Sequence, residues 1–313
     1  MEKLEALASV SRLSESVIRV LGQNPGKFTL QDLNNQAPTP TSSGKQRPFT
    51  LVDTGEGREE YLPFLESAFG DANAAVTSSE VDSAAADVSD IIISHWHPDH
   101  VGGLPSVLAL LKRLWDQRNG NAAATFKPPR LHKFPATIPI SNTNNRLPSI
   151  LESLLPGSFT PQSVWKYHLT APRPAHTPGH TVDSICLHFP QDNALYTADT
   201  VLGQGTAVFE DLATYLASLG RMLEFCKTEK AVKLYPGHGP VVEDGQEASV
   251  DDVDAGATIY SAYPESLWLP AAHGVTLHLR KLEGEGVVKR MVGRRSIPAG
   301  NMWASERRCD RGR

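Results

Sequence analysis

Few cysteines, no long apolar run and no basic excess mark this sequence, and each shortage removes a class of protein. Three cysteines occur in 313 residues, Cys186, Cys226 and Cys309. An odd, widely spaced set gives no disulfide framework and fits a reducing compartment. No stretch approaches the roughly 20 apolar residues that a membrane helix needs, and residues 1–22 lack the apolar core of a signal peptide. The formal net charge is -5, so no global positive field draws the chain towards nucleic acid. A cytoplasmic protein is expected, with neither membrane nor nucleic acid as partner. What is present is an ordinary globular composition, 40% hydrophobic and 21% charged, enough for a sizeable core.

The apolar pattern reads as alternating strands and helices. Strands are expected at Ser16–Leu21, Lys27–Gln31, Phe49–Val52, Leu131–Phe134, Val182–Phe189, Ala194–Thr197 and Lys233–Tyr235. A short helix is expected at Met1–Leu7. Leu62, Leu65 and Phe69 repeat at helical spacing, with Pro63 tolerable only in a first turn. Another helix opens near Pro105, carries Val107, Leu108, Leu111, Leu114 and Trp115, and stops at Asn119-Gly120. Asp211 can cap a third that carries Leu212, Tyr215, Leu216, Leu219, Met222 and Leu223. The polar, proline-bearing stretch 34–44 reads as a loop, as do most of 71–89 and 121–129. From about residue 246 an acidic stretch, Val250–Asp254, leads to a helical region through Pro264–Leu282. Three parts are expected: a main domain over 1–245, a small helical module over 246–292, and a basic, disordered tail over 293–313. The cations of that tail, from Arg294 to Arg313, read as solvated because no aromatic residues alternate with them for stacking on bases.

Chemistry is concentrated where strands end. Directly after Ile91-Ile92-Ile93 comes Ser94-His95-Trp96-His97-Pro98-Asp99-His100-Val101-Gly102-Gly103. In extended chain, alternate residues point the same way, so His95 and His97 face together. Three later stretches end strands in metal-capable groups: His176-Thr177-Pro178-Gly179-His180, Ala198-Asp199-Thr200 and Pro236-Gly237-His238-Gly239. Together they offer His95, His97, His100, His176 and His238 with Asp99 and Asp199. His180 is expected to stabilise the turn or sit behind the ligands. A lone histidine at a strand end is more often structural than ligating. Clustered imidazole and carboxylate at ligand spacing is not, and it suits Zn²⁺, or less selectively Mn²⁺ or Fe²⁺.

The ordered set His-x-His-x-Asp-His, then His-Thr-Pro-Gly, then a strand-terminal Asp, then Gly-His resembles the metallo-β-lactamase superfamily over roughly residues 14–245. That resemblance implies an αββα sandwich with two metals at one sheet edge and a small, winged-helix-like C-terminal module. It implies His95, His97 and His176 on one Zn²⁺, Asp99, His100 and His238 on the other, and Asp199 bridging. Asp99 would also orient the nucleophile and relay a proton, and Asp53 in Val-Asp-Thr-Gly would orient a ligand histidine. Asn24-Pro25-Gly26, Asp53-Thr54-Gly55-Glu56-Gly57 and Tyr263-Pro264-Glu265-Ser266-Leu267-Trp268 resemble the branch that holds fungal polyketide acyl-carrier-protein thioesterases and an endoribonuclease. The expected function is hydrolysis of an acyl thioester on an acyl carrier protein in secondary metabolism. A single-strand-selective endoribonuclease and a catalytically dead binding protein are the alternatives. Three departures stand out. Asp32–Gln36 and the following loop occupy the place of an apolar hairpin strand, so a strand is expected to be altered or missing. The family's helix after the last ligand is not recognisable in 246–258, and Ala198 stands where glycine is commoner.

Overall fold

A computed structural model describes residues 6–24, 34–37, 48–74, 86–120, 125–135, 145–161, 173–203, 207–229, 233–243, 288–291 and 302–305. Seven strands form the first sheet in chain order. They are β1 (Val10–Arg12), β2 (Ile18–Leu21), β3 (Asn34–Ala37), β4 (Phe49–Val52), β5 (Val88–Ile93), β6 (Arg130–Lys133) and β7 (Thr160–Pro161). β1 to β4 pair antiparallel, and β4 to β7 pair parallel. The parallel crossovers carry helices α1 (Tyr61–Ala74), α2 (Pro98–Val101) with α3 (Leu104–Asn119), and α4 (Leu147–Ser153), as parallel pairing requires. The second sheet is ordered β11-β10-β9-β8, from β8 (Arg173–His176), β9 (Ile185–Phe189), β10 (Ala194–Ala198) and β11 (Lys233–Pro236). Helix α5 (Leu212–Glu229) crosses from β10 to the parallel β11. A separate hairpin pairs β12 (Val288–Met291) with β13 (Met302–Ser305), the latter within the basic tail.

Side-chain alternation divides the core into the layers of an αββα sandwich. Leu51, Ile91 and Ile93 join Leu65, Phe69, Leu104, Val107 and Leu111 on the helix side of the first sheet. Val52 and Ile92, one residue out of phase, meet Ile185, Leu187, Phe189 and Tyr196 between the sheets. Cys186, Leu195 and Leu234 pack outward on Tyr215, Leu219, Met222 and Cys226 of α5. A strand covered on both faces reads as an unbroken apolar run, and Ile91-Ile92-Ile93 is one.

Several elements depart from the sequence pattern. Asn34–Ala37, expected as loop, forms β3 between β2 and β4. Backbone pairing on both sides supplies what the polar sequence does not, so the strand expected to be altered or missing is present with a polar sequence. Helix α1 runs on to Ala74, into a stretch expected to be mostly loop. β9 begins at Ile185 rather than Val182, because 181–184 form a turn closed by Ser184 N–H to the Thr181 carbonyl. β1, β7, β8 and α4 are short elements without a periodic signature. The helical region through Pro264–Leu282, Val250–Asp254, the strand expected at Lys27–Gln31 and residues 1–5 lie outside the described residues.

A buried carboxylate paired with a half-exposed arginine ties neighbouring strands near the core. Asp90 on β5 accepts from Arg130 Nε at 2.7 Å and Nη2 at 2.6 Å, and lies 2.6 Å from His132 Nε2, both partners on β6. Burial pushes the Asp90 carboxyl up, but His132, Arg130 and Ser89 outweigh it and hold it at about 2. The shift from 3.8 corresponds to about 2 kcal/mol. Because the folded value is the lower one, that stability is present above pH 4 and is lost as pH falls towards 2. Asp90→Asn should therefore cost about 2 kcal/mol at pH 6, and its deficit relative to wild type should shrink between pH 4 and pH 2. Urea unfolding across that range checks this, and a deficit independent of pH would assign the loss to packing instead.

Candidate metal centre

Every predicted ligand except one arrives at the same edge, at the C-terminal ends of strands. β4 ends in Asp53, β5 in Ser94 to His97, β10 in Asp199 and β11 in His238. After His97 the one-turn helix α2 reverses the chain and brings His100 in. Pro98 suits its first position, where no amide hydrogen bond is lost. The turn is clamped from β4: Thr54 N–H and Thr54 Oγ1 both donate to the His100 carbonyl, at 2.9 and 3.0 Å. A side chain at Gly103 would stand 1.9 Å from the Thr54 carbonyl oxygen, so only glycine permits that approach.

Two donor groups result, each with its ligand atoms within 4.8 Å of one another: His95, His97, His180 and Asp199, and Asp99, His100, Asp199 and His238. Asp199 belongs to both. Its Oδ1 lies 3.3 Å from His100 Nε2, and its Oδ2 lies 3.3 Å from His238 Nε2 and 3.7 Å from His180 Nε2. Ala198, before it, has φ 47°, and the pairing of β10 with β11 shifts register there. That left-handed residue turns Asp199 off the strand, and it explains why glycine suits this position.

The third histidine of the first group is His180, whereas His176, expected as the third ligand there, belongs to neither group. His176 is the last residue of β8, paired with Ile185, so the sheet fixes its direction. Its Nε2 donates to the Val182 carbonyl at 2.9 Å and its ring stacks on Phe134 at 4.0 Å. His180 sits beyond the Pro178-Gly179 turn, free of strand pairing, and reaches across to the first sheet. A side chain at Gly179 (φ 134°) would stand 2.2 Å from Tyr215 Cα, so this turn too requires glycine. The readable signal was that Pro-Gly turn immediately before the second histidine.

Partners behind the imidazoles set which nitrogen faces inward. Ser94 Oγ donates to Asp53 Oδ2 at 2.7 Å, so at 3.0 Å it accepts from His95 Nδ1. His100 Nδ1 donates to Asp53 Oδ2 at 2.9 Å, and His180 Nδ1 to the Val208 carbonyl at 2.6 Å. Asp53, wholly buried, also accepts from Ser94 N–H at 2.7 Å and from the Tyr196 hydroxyl at 2.6 Å. Burial, then Asp53, pushes the Tyr196 phenol well above its usual range, so it stays a donor. Asp53 thus fixes the ring of His100, a member of the second donor group. Ser94, Tyr196 and Val208 are partners that no sequence pattern announced.

The inward-facing atoms fit cations better than they fit one another. His95 Nε2, His97 Nδ1 and His180 Nε2 stand 3.0, 3.0 and 3.2 Å apart, lone pairs converging. Around tetrahedral Zn²⁺, with Zn–N of about 2.0–2.1 Å, nitrogens stand roughly 3.3 Å apart. Burial, then His100 and His97, holds His95 well below the usual imidazole range, and burial with His180 holds His97 at about 3. Burial also lowers His180. In the second group, His100 Nε2 and Asp199 Oδ1 are buried and face each other without hydrogen-bond alignment. Burial opposes protonation of His100 and His238, but Asp199 and its neighbouring carboxylates outweigh it, and His238 rises to about 9. Asp199 falls well below the carboxylate range because His238 and His100 outweigh its burial.

The family model for the metallo-β-lactamase superfamily matches residues 47–112 and 169–238, and that for a β-lactamase-associated winged helix domain matches 257–295. A Drosophila melanogaster protein named β-lactamase-like protein 2 homolog is 30% identical over 311 residues, covering 90% of this chain and 93% of that one. The chain belongs to the metallo-β-lactamase superfamily. Its fungal relatives include an atrochrysone carboxyl ACP thioesterase of Aspergillus novofumigatus, 33% identical over 244 residues, 78% of this superfamily member and 60% of the fungal protein. The chain thus spans about 60% of the length of that relative. A β-lactamase domain protein from Burkholderia ambifaria shares the fold at TM-score 0.62 and 16% identity, covering 97% of this chain and 95% of its own. No helix among the described residues is long and apolar enough to cross a membrane.

The exchange of His176 for His180 is directly testable. His180→Ala should weaken cation binding at least tenfold, since even partners behind ligands are worth about 10–100-fold. His176→Ala should leave metal content unchanged. Elemental analysis of both purified variants after dialysis reads this, and metal loss from His176→Ala would reverse the assignment.

Proposed function

We propose that this metallo-β-lactamase-superfamily hydrolase is a dinuclear zinc enzyme that cleaves an acyl thioester, with an acyl chain on a polyketide synthase's acyl carrier protein as substrate. The observation that carries the dinuclear reading is Asp199, one buried carboxylate shared by two complete donor groups. His95, His97 and His180 would hold one cation, Asp99, His100 and His238 the other, and Asp199 both. Bound there, divalent cations supply a nucleophile from water near neutral pH and a Lewis acid for the acyl carbonyl.

The residues around that site have separable tasks. Asp99 is the more open carboxylate, its side chain 16% exposed against 10% for Asp199. Burial raises Asp99, but His100 and His238 outweigh it, so the group is ionised and can orient a water molecule and take up its proton. His238 Nε2 lies 3.3 Å from Asp99 Oδ2, so both reach the same point as donors to the second cation. A thioester matches this equipment because its leaving thiolate needs little protonation. The ACP thioesterase names of the fungal relatives support the substrate class.

Protein loaded with Zn²⁺ is assayed on an acyl-thioester panel, including acyl carrier protein conjugates, and on single-stranded RNA. Thioester turnover is expected, with Asp99→Ala lowering kcat by roughly 10²–10⁴-fold, the usual worth of a positioned acid–base group. Turnover of RNA without thioester would overturn the substrate reading. Folded protein that binds no metal would overturn the enzymatic one.

A further inference from the structure

The turn between β8 and β9, residues 177–184, carries His180 from the second sheet to His95 and His97 on the first. Its foot is closed by Thr177 N–H to the Ser184 carbonyl at 2.9 Å, and Ile185 N–H to the Ser94 carbonyl at 3.1 Å ties that foot to the end of β5. On the side of the second sheet, Glu210 N–H donates to the Gly179 and His180 carbonyls at 2.8 and 3.1 Å. These are main-chain contacts. They hold the foot and the second-sheet side of the turn, and the side of the crown that faces β6 is held by side chains.

Asp183, 1% exposed, is the centre of that hold. Its Oδ1 accepts from Thr181 Oγ1 at 2.7 Å, and Thr181 is the residue next to His180. Ser184 Oγ accepts from Thr181 N–H at 3.1 Å and, lying 2.7 Å from Thr181 Oγ1, donates to it. Residues 181–184 are thus one hydrogen-bonded unit. Asp183 Oδ2 forms an ion pair with Lys133 Nζ. Lys133 is the last residue of β6 and the parallel register partner of Ile93, two residues before His95. The pair therefore joins the unit beside His180 to the strand beside the one that presents His95 and His97.

We infer that Lys133 and Asp183 are a positioning pair: their ion pair sets how far the crown of the turn leans on the first sheet, and so where His180 stands against His95 and His97. The role rests on the two-cation reading above and concerns cation affinity rather than the substrate. Stability alone does not account for the pair. The Asp183 side chain is 1% exposed and that of Lys133 19%, and a pair so withdrawn from water is often no more stabilising than neutral side chains of similar volume. What such neutral replacements lack is a directional attraction between the two sheets.

The test separates stability from position. Lys133→Met keeps the stem and removes the charge, and Asp183→Asn keeps an acceptor for Thr181. Either single change leaves a buried charge without its partner and should lower the urea midpoint, whereas the double variant leaves none and should unfold near the wild-type midpoint. Zinc affinity, read by chelator competition, should not recover with it. One of the two zinc equivalents should stay about tenfold weaker in the double variant, and amide exchange in metal-free protein should be faster selectively over 177–184. Lys133→Arg, which keeps a cation on β6 without touching the turn, should restore most of the zinc affinity that Lys133→Met loses. Wild-type zinc affinity in the folded double variant would overturn the role, as would equal losses in Lys133→Arg and Lys133→Met. Failure of the two-cation reading is distinguishable, because wild-type protein would then take up fewer than two zinc equivalents.

Discussion

Asp199 is the constraint on which the architecture depends. It is 7% exposed and lies among five histidines that come from both sheets. A carboxylate in that position is costly unless it is paired. Its pairing demands that β5, α2, the turn after β8 and the end of β11 all deliver donors to one point. The register shift and left-handed Ala198 at the end of β10 aim Asp199 there. The sandwich supplies the convergence, since the parallel strands of both sheets present their C-terminal ends at the same edge.

Around Asp199 the protein repeats one device. Each of three imidazoles spends its outer nitrogen on a fixed acceptor, Ser94 for His95, Asp53 for His100 and the Val208 carbonyl for His180. Each outer bond fixes ring orientation and tautomer and leaves the inner lone pair aimed at the centre. Asp53 carries the largest share. It accepts from Ser94 and His100 on its own sheet and from Tyr196 on the other, so one buried carboxylate pins both sheets at the site. The two donor groups differ in charge accordingly: three neutral imidazoles with one shared carboxylate, against two carboxylates with two protonatable imidazoles.

Much of this was legible in the chain. Ile91-Ile92-Ile93 followed by His-x-His-x-Asp-His announces a strand covered on both faces that ends in metal-capable side chains, because strand alternation and the one-turn reversal at Pro98 are local consequences of residue type. The amphipathic helices near Pro105 and after Asp211 were equally local. Asp211 Oδ1 does accept from Thr214 N–H at 2.6 Å, as an N-cap should. β3 was not legible, since Asn34–Ala37 is held by backbone pairing with strands on either side, and its sequence has no apolar alternation.

The sequence by itself determined the family, the sandwich and six of the seven metal-capable side chains brought together here, because their spacing and strand periodicity are written over a few residues. Only the tertiary structure placed His180, and not His176, in a donor group. Both have the right chemistry and stand four residues apart. The choice turns on which one the β8–β9 register ties to the sheet and which one the Pro178-Gly179 turn releases towards the other sheet. The same holds for Tyr196 and Glu210, whose partners lie 143 positions away at Asp53 and 28 away at Val182. Hydrogen bonds closed across such distances depend on how the layers pack, and a linear pattern does not encode them.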